Sequence, residues 1–440
     1  RVVSSSEDLR ETVGALLNKP VGVGGALPAW ELVIADGIER DMEGPERPTT
    51  HLIFRLHHAL ADGIAVAGLL GALSDEAEDL FRDIVNSAVR ASPRTIDKGR
   101  GKGRGRSRRS SLLKKLVGLF SSVLTLVAVK LAGLPAELLK LMRLVLLPGY
   151  QRRCLPLAAG EDKVAFWSRS EDPAGALRVN ALKQGSRFLC PKATVNDAVL
   201  AALCAGIHQV LGPGAARELV ALVPVNVRPY LALFQPKLMD PDLPIPDRMR
   251  SLQGNQIGSL VVTLPLLDMG RVRDLMRQVR SRMQWCKSLP EAEVSFALAY
   301  LASWLPMSIS VAAMRQITRQ GDVAVSNVQG PAYPIHLDGL RVSRIVGFLP
   351  PPPGVPLGVA VTSYCGNLQV SMNCDKASLG RNAEEIFRET MKALLEIQQA
   401  GAHVSVETVA MPSTTTSSTA GTTSLPGAPS AAAGTTTTTT

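Results

Sequence analysis

His51-Leu52-Ile53-Phe54-Arg55-Leu56-His57-His58 runs without a break into Ala59-Leu60-Ala61-Asp62-Gly63 and then into Ile64-Ala65-Val66-Ala67-Gly68-Leu69-Leu70. The first eight residues alternate as a β-strand does, and the last seven are small and apolar, which suits a buried helix. Ala61-Asp62-Gly63 supplies turn chemistry between them. The order strand, turn, helix makes this part of the chain α/β. With a side-chain period of two, His58 falls on the face of Leu52, Phe54 and Leu56, where a core or cleft is expected, and His57 on the face of Ile53 and Arg55. The helix is expected to bury itself on all sides and so to hold the strand end rigidly. The Asp62 carboxylate has two kinds of partner open to it, local backbone N–H groups or a distant arginine.

Around this unit, residues 1–92 read as helix, loop, strand and helix, with a helix over Glu7–Leu17 and a Gly/Pro-rich turn at Pro20–Pro28. Residues 93–115 form a basic Gly/Arg linker. The chain's net charge is +10, and ten basic residues against the single acid Asp97 put +9 of it between Arg94 and Lys115. Residues 116–150 form an apolar, membrane-associating segment, with no charge from Leu116 to Val129 and a break at Pro135. Fourteen helical residues reach about 21 Å, short of about 30 Å of hydrocarbon, so a helix lying in the membrane surface is expected. Residues 151–405 form a second α/β region. Its clearest helix runs to Leu211, with Thr194 as N-cap, Asp197 in the first turn and Gly212 just past the end. Residues 406–440 are a Thr/Ser-rich tail of disordered composition. The chain opens at Arg1 inside an apparent helix, so an N-terminal part is expected to be missing and a targeting signal is not visible.

Composition narrows the function. With 46% apolar and 20% charged residues the chain is not wholly disordered. Six cysteines without a CxxC pair argue against a zinc site or a disulfide framework and suit a reducing compartment. Gly22-Val23-Gly24-Gly25 does not continue to a dinucleotide-binding GxGxxG. The basic run lacks the interleaved aromatics that stack on RNA, and it leads into an apolar segment, an order that favours an anionic membrane surface.

The chemistry rests on His57 and His58. An imidazole at a rigid strand end suits the removal of a hydroxyl proton, since histidine offers a neutral base near neutral pH. An isolated pair of histidines would more often be satisfied by backbone, but Asp62 and Gly63 at fixed spacing shift the balance toward chemistry. HHxxxDG resembles the signature of the wax ester synthase/diacylglycerol acyltransferase family, within the broader CoA-dependent acyltransferases that share HxxxD. Further blocks resemble that family in the same order: Pro28-Ala29-Trp30-Glu31, Ala193-Thr194-Val195-Asn196-Asp197, Pro224-Val225-Asn226-Val227-Arg228, Gly254-Asn255-Gln256 and Ser326-Asn327-Val328-Gln329-Gly330-Pro331. Gln329 stands where the family has proline. The basic linker is longer than expected and the Gly22–Pro28 turn is atypical.

The resemblance implies an α/β, two-lobed fold of the chloramphenicol-acetyltransferase-like kind with an active-site tunnel between the lobes. Residues 1–92 would be a truncated N-terminal lobe and residues 151–405 the C-terminal lobe. It implies an O-acyltransferase moving a fatty acyl group from acyl-CoA to a long-chain alcohol or diacylglycerol. His58 would be the general base, with His57 and Gly63 beside it. Asp62 would be architectural and directed at Arg228. Asn255, Ser326 and Asn327 are candidates for binding substrate or polarising the carbonyl, while Asn196 and Asp197 are structural. No metal and no bound cofactor is expected, acyl-CoA being a co-substrate. The expected partners are acyl-CoA, a lipid alcohol and a membrane or lipid-body surface, with no nucleic acid. The expected location is the endoplasmic reticulum membrane or a lipid body. The alternatives are another HxxxD acyltransferase, or an inactive homologue that binds lipid or RNA.

Overall fold

The structure is a computed structural model. The structure describes residues 2–3, 6–21, 28–39, 47–83, 130–147, 153–168, 176–228 and 242–401, apart from 81, 141, 144, 145, 161, 213, 215, 229, 230, 251 and 253 among or beside them. The basic linker, Leu116–Val129 and the C-terminal tail lie outside the described residues.

Two sheets organise the molecule. In the first, β1 (Val2–Val3) pairs parallel with β2 (Trp30–Glu39), which pairs antiparallel with β3 (Arg47–Leu56). Helix α1 (Ser6–Leu17) turns Val13, Leu9 and Leu17 onto Ile53 of β3 and onto Ala165 and Trp167 of the second sheet. The face carrying Leu52 and Phe54 is therefore not the core face. The cross-strand rungs Leu32 with Phe54 and Ile34 with Leu52 are open to solvent, at 39% exposure or more.

The second sheet has six strands in the order β4-β11-β10-β7-β5-β6, namely Lys163–Trp167, Asn367–Asp375, Leu357–Tyr364, Val323–Gln329, Glu218–Asn226 and Ile257–Pro265, and the short strands β8 (His336–Leu337) and β9 (Leu340–Arg341) pair with each other apart from it. The central strand β7 runs parallel to both its neighbours. Val323 and Val325 join a core built with the helices on one face, while Ala324 joins a smaller core on the other. Both faces being covered, Leu219–Val223 of β5 is buried at every residue rather than alternating.

The helices on the larger core are Val179–Leu189 (α3), Val195–Leu211 (α4), Val272–Ser288 (α6) and Asn382–Gln399 (α10); the short helices Ile245–Arg250 (α5) and Lys376–Leu379 (α9) precede the last two in turn. Residues 197–207 of α4 are all buried, the behaviour of a helix apolar on every side. Its backbone approaches α10 so closely that a Cβ on Gly206 would lie 2.8 Å from the Thr390 nitrogen. Each fully buried Leu or Val here contributes roughly 1.5–3 kcal/mol. Thr194 and Asp197 form a reciprocal cap: Asp197 Oδ2 accepts from Thr194 N at 2.8 Å, and Asp197 N donates to Thr194 Oγ1 at 3.2 Å. Gly212 follows at φ 79°.

Two buried carboxylates fix the segment 153–162 that enters the second sheet. Asp322 accepts from Cys154 N, Leu155 N and Val220 N, all at 2.9–3.0 Å. Burial pushes its carboxyl up, and these N–H bonds oppose the push. Asp375 accepts from Lys163 Nζ at 2.7 Å and from Ser378 N at 2.9 Å. Burial raises its carboxyl too, but here the bonds outweigh it and hold the group below the usual range.

Part of the apolar segment is packed on the protein itself. The helical residues 130–140 lie against β6 and the helix Glu291–Ala302 (α7). Lys130 pairs with Glu293, Lys140 Nζ pairs with Glu291 at 2.6 Å, and Leu134 enters the smaller core. Leu131, Leu138 and Leu139 remain exposed. No helix among the described residues is long and apolar enough to cross a membrane.

Candidate active site

Strand β3 ends at Leu56. The His57 N–H donates to Ala29 O at 2.7 Å as the last rung, and Leu60 N closes a turn on His57 O at 2.9 Å. His58 stands in that turn, so strand alternation no longer sets its direction. The strand period that put it on the face of Leu52, Phe54 and Leu56 ends with β3. Both histidines are exposed. The His57 ring accepts from Ala59 N at 3.3 Å, and the His58 ring makes no hydrogen bond to a described residue.

The turn is held from below by Asp62, which is 2% exposed. Its Oδ1 caps the helix Gly63–Leu73 (α2) by accepting from Ile64 N and Ala65 N, both at 3.1 Å. Its Oδ2 accepts from Gln256 N at 2.9 Å. Arg228, also 2% exposed, lies beyond the end of β5 and donates through Nη1 to both oxygens, at 2.9 and 2.7 Å. The two partners open to Asp62 in the sequence, backbone and arginine, are thus both engaged. Arg228 Nη2 donates to Leu252 O at 2.8 Å and Gly254 O at 3.1 Å. One buried ion pair therefore joins the HHxxxDG turn, the end of β5 and the segment before β6.

That segment also pairs with the turn directly. Ala61 and Gly254 form a parallel bridge, and Gly254 N donates to Leu60 O at 3.0 Å. Asn255 Nδ2 donates to the His58 carbonyl. As placed, Asn255 holds the main chain that carries His58, with its second amide hydrogen still to give.

Gly63 explains itself by what lies opposite. A Cβ there would come within 2.8 Å of Val328 Cγ2 on β7. Ser326 shares the Val328 face of β7 by strand alternation, while Asn327 faces the other way with Val323 and Val325. Of the two candidates on this strand, only Ser326 is thereby turned toward the HHxxxDG side. Asp197 belongs to the α4 cap described above, and Asn196 lies beside it in the first turn of that helix. Helix α2 does not bury itself on all sides: it buries Ala65, Gly68 and Gly71, and leaves Leu69 and Leu73 exposed. Its small residues admit close neighbours: a Cβ on Gly71 would lie 3.4 Å from the Leu80 Cβ.

Further ties between the first ninety residues and the rest of the chain were not visible in the sequence. His336 meets Glu76 through N at 2.9 Å and Nδ1 at 2.7 Å, and these bonds hold the Glu76 carboxyl below its usual range. Arg248 pairs with Glu78 at 3.1 Å. Asn18 exchanges two hydrogen bonds with the Lys163 backbone. Each joins residues 145 or more apart in sequence, beyond any local pattern.

Four of the free cysteines, Cys154, Cys204, Cys286 and Cys374, are pushed up by burial, Cys286 to about 11. A thiolate nucleophile is not on offer there. No group of three or more potential metal ligands occurs among the described residues.

The profile of the wax ester synthase/diacylglycerol acyltransferase catalytic domain matches residues 4–157, and that of the WS/DGAT C-terminal domain matches residues 253–398. The chain belongs to the wax ester synthase/diacylglycerol acyltransferase family. A probable diacylglycerol O-acyltransferase of Mycobacterium tuberculosis, tgs2, is 27% identical over 85% of this chain and 74% of its own length. A second from that organism, tgs1, is 24% identical over 79% of this chain and 67% of its own. The solved wax ester synthase/diacylglycerol acyltransferase of Marinobacter aquaeolei VT8 superposes with a TM-score of 0.52 at 15% identity, over 91% of this chain and 79% of that one. The fold is that of the family, two-lobed and α/β, and the chain is an acyltransferase.

Proposed function

We propose that this acyltransferase transfers a fatty acyl group from acyl-CoA to the hydroxyl of a long-chain alcohol or a diacylglycerol, with His58 as general base. The observation that carries the reading is the turn itself. Two exposed histidines stand on a loop that a buried Asp62–Arg228 pair ties to both lobes.

In this reading His58 takes the proton of the alcohol as its oxygen attacks the thioester carbonyl. The imidazolium returns the proton to the CoA sulfur as the tetrahedral intermediate collapses, so ester and free CoA leave and no acyl-enzyme forms. The pushed-up cysteines are in keeping with direct transfer. Asp62 and Arg228 touch neither substrate; they position the base. Ser326 and the second amide hydrogen of Asn255 would be the donors to the developing oxyanion. The relatives named as diacylglycerol O-acyltransferases support the glycerolipid acceptor, and the Marinobacter protein's name supports the fatty alcohol.

Such products do not dissolve in water, so the enzyme would work at a membrane or lipid-body surface, the endoplasmic reticulum being the expected site of synthesis. Residues 94–115 would attract it to anionic lipid.

The test supplies labelled acyl-CoA with hexadecanol or diacylglycerol and separates the neutral lipids formed. His58→Ala is expected to lower turnover by about 10²- to 10⁴-fold with folding intact, and His57→Ala by less. Near-normal turnover of His58→Ala would remove the assignment.

A further inference from the structure

Between Glu293 and Arg315 the chain carries no charged residue, from Val294 to Met314. As a bare run this is long enough to span a bilayer. The fold divides it instead. Helix α7 ends at Ala302, Pro306 caps the next helix, Met307–Thr318 (α8), and the two form a hairpin. At its base Glu291, Ala292, Val294 and Thr318 are buried. At its tip the side chains stand in solvent: Trp304 is 78% and Met307 79% exposed, and Tyr300, Leu301, Leu305 and Ile309 are each more than half exposed. Contiguous apolar surface of this kind on a soluble fold marks a contact site.

The chemistry of the tip and its flanks selects the occupant. Trp304 and Tyr300 pack edge to face, 6.5 Å apart, and such rings with one polar atom lie at the level of lipid headgroups. Arg315 on α8 and Arg319 just past its end are the first cations after the tip, and both are exposed. Eight residues of helix put Arg315 about 12 Å behind Met307. That is just beyond the roughly 5–10 Å to which an interfacial apolar face sinks, where phosphates are met. On the α7 side the flanking acids Glu291 and Glu293 are neutralised by Lys140 and Lys130, so they do not repel an anionic surface.

We propose that the α7–α8 hairpin is a membrane-docking wedge, inserting Tyr300, Leu301, Trp304, Leu305 and Met307 into the surface of a bilayer that contains anionic phospholipid. Arg315 and Arg319 then lie over the headgroups. The wedge is separate from the basic linker, and it rests on the proposed function only in the supposition that acceptor and product are dissolved in that bilayer.

The test uses the full chain and vesicles of phosphatidylcholine with or without phosphatidylserine. The triple variant Leu301→Asp/Trp304→Asp/Met307→Asp changes exposed side chains and is expected to melt as the parent does. Its partition onto vesicles should fall by at least about tenfold. Transfer to a short, water-soluble alcohol should be unchanged, while transfer to hexadecanol held in the vesicles falls. Lipid brominated near the headgroup should quench a part of the tryptophan emission that disappears in Trp304→Phe. Arg315→Gln/Arg319→Gln should remove only the gain that phosphatidylserine gives.

Unchanged partition of the triple variant overturns the proposal. So does a Trp304 that soluble quenchers cannot reach before lipid is added, which would mean that another part of the chain covers the hairpin. A parent dimer that the triple variant converts to monomer also overturns it, since a second copy would then be the occupant. Vesicle binding through Trp304 by a protein that transfers no acyl group would leave the wedge standing and remove the proposed function instead.

Discussion

Asp62→Asn should cost more than Arg228→Met, although the two residues form one ion pair. Asparagine caps a helix about as well as aspartate, so the N–H groups of Ile64 and Ala65 keep a partner. What is lost is the counter-charge. Arg228, 2% exposed, would keep only uncharged acceptors among the described residues, the carbonyls of Leu252 and Gly254 and the Asn226 Oδ1 at 3.4 Å, and its buried Nε already has no partner there. An uncompensated buried charge of this kind costs about 3–5 kcal/mol. In Arg228→Met the Asp62 carboxylate still accepts three backbone N–H bonds, from Ile64, Ala65 and Gln256. Bonds to a charged acceptor contribute roughly 1.5–3 kcal/mol each, so the loss should be smaller, about 1–3 kcal/mol. The double variant Asp62→Asn/Arg228→Met should lose less than the sum of the singles, by about 1–3 kcal/mol. The assay is urea unfolding followed by circular dichroism and tryptophan emission, with the first transition compared because the lobes need not unfold together. Acyl transfer measured well below that transition should show kcat falling more than KM rises. Additive singles, or Arg228→Met the costlier of the two, would refute the clamp.

Gly63→Ala should lower stability by about 1–3 kcal/mol and turnover with it, because the added carbon meets Val328; Val328→Ala should restore much of both. Asn255→Ala should leave the melting temperature unchanged, the residue being exposed, while the freed His58 main chain lowers kcat by about ten- to hundredfold. Glu137 is buried beside Glu291, and burial first, then that neighbour, pushes its carboxyl up against the pull of Lys140. A raised carboxyl binds its proton more tightly in the folded state. Its ionisation therefore costs stability as pH rises above the ordinary glutamate range, and the cost is absent below it. Glu137→Gln should then raise the melting temperature at pH 8 and not at pH 4, and an equal gain at both would exclude the titration as its cause.

Local chemistry fixes a good deal of this protein in the sequence alone. The α4 cap, its first-turn aspartate and its terminal glycine are legible because each acts within four residues. The strand–turn–helix unit at His51–Leu70 is legible for the same reason, and the collinear blocks identify the family and the two histidines. Directions and partners are another matter. That the Ile53 face of β3 is the buried one depends on α1 and Trp167 arriving from elsewhere. That Asn255 holds the His58 carbonyl, and that Gly63 makes room for Val328, depends on segments about 200 and 265 residues away being folded against the turn. The run Val294–Met314 carries no charge to show where it meets solvent, and tertiary packing of its base, with Pro306 near its middle, makes it a projecting hairpin. Sequence sets what a few neighbouring residues do through short-range hydrogen bonds and periodicity. Which side of an element is covered is set by what packs on it, and burial is a property of the assembled chain.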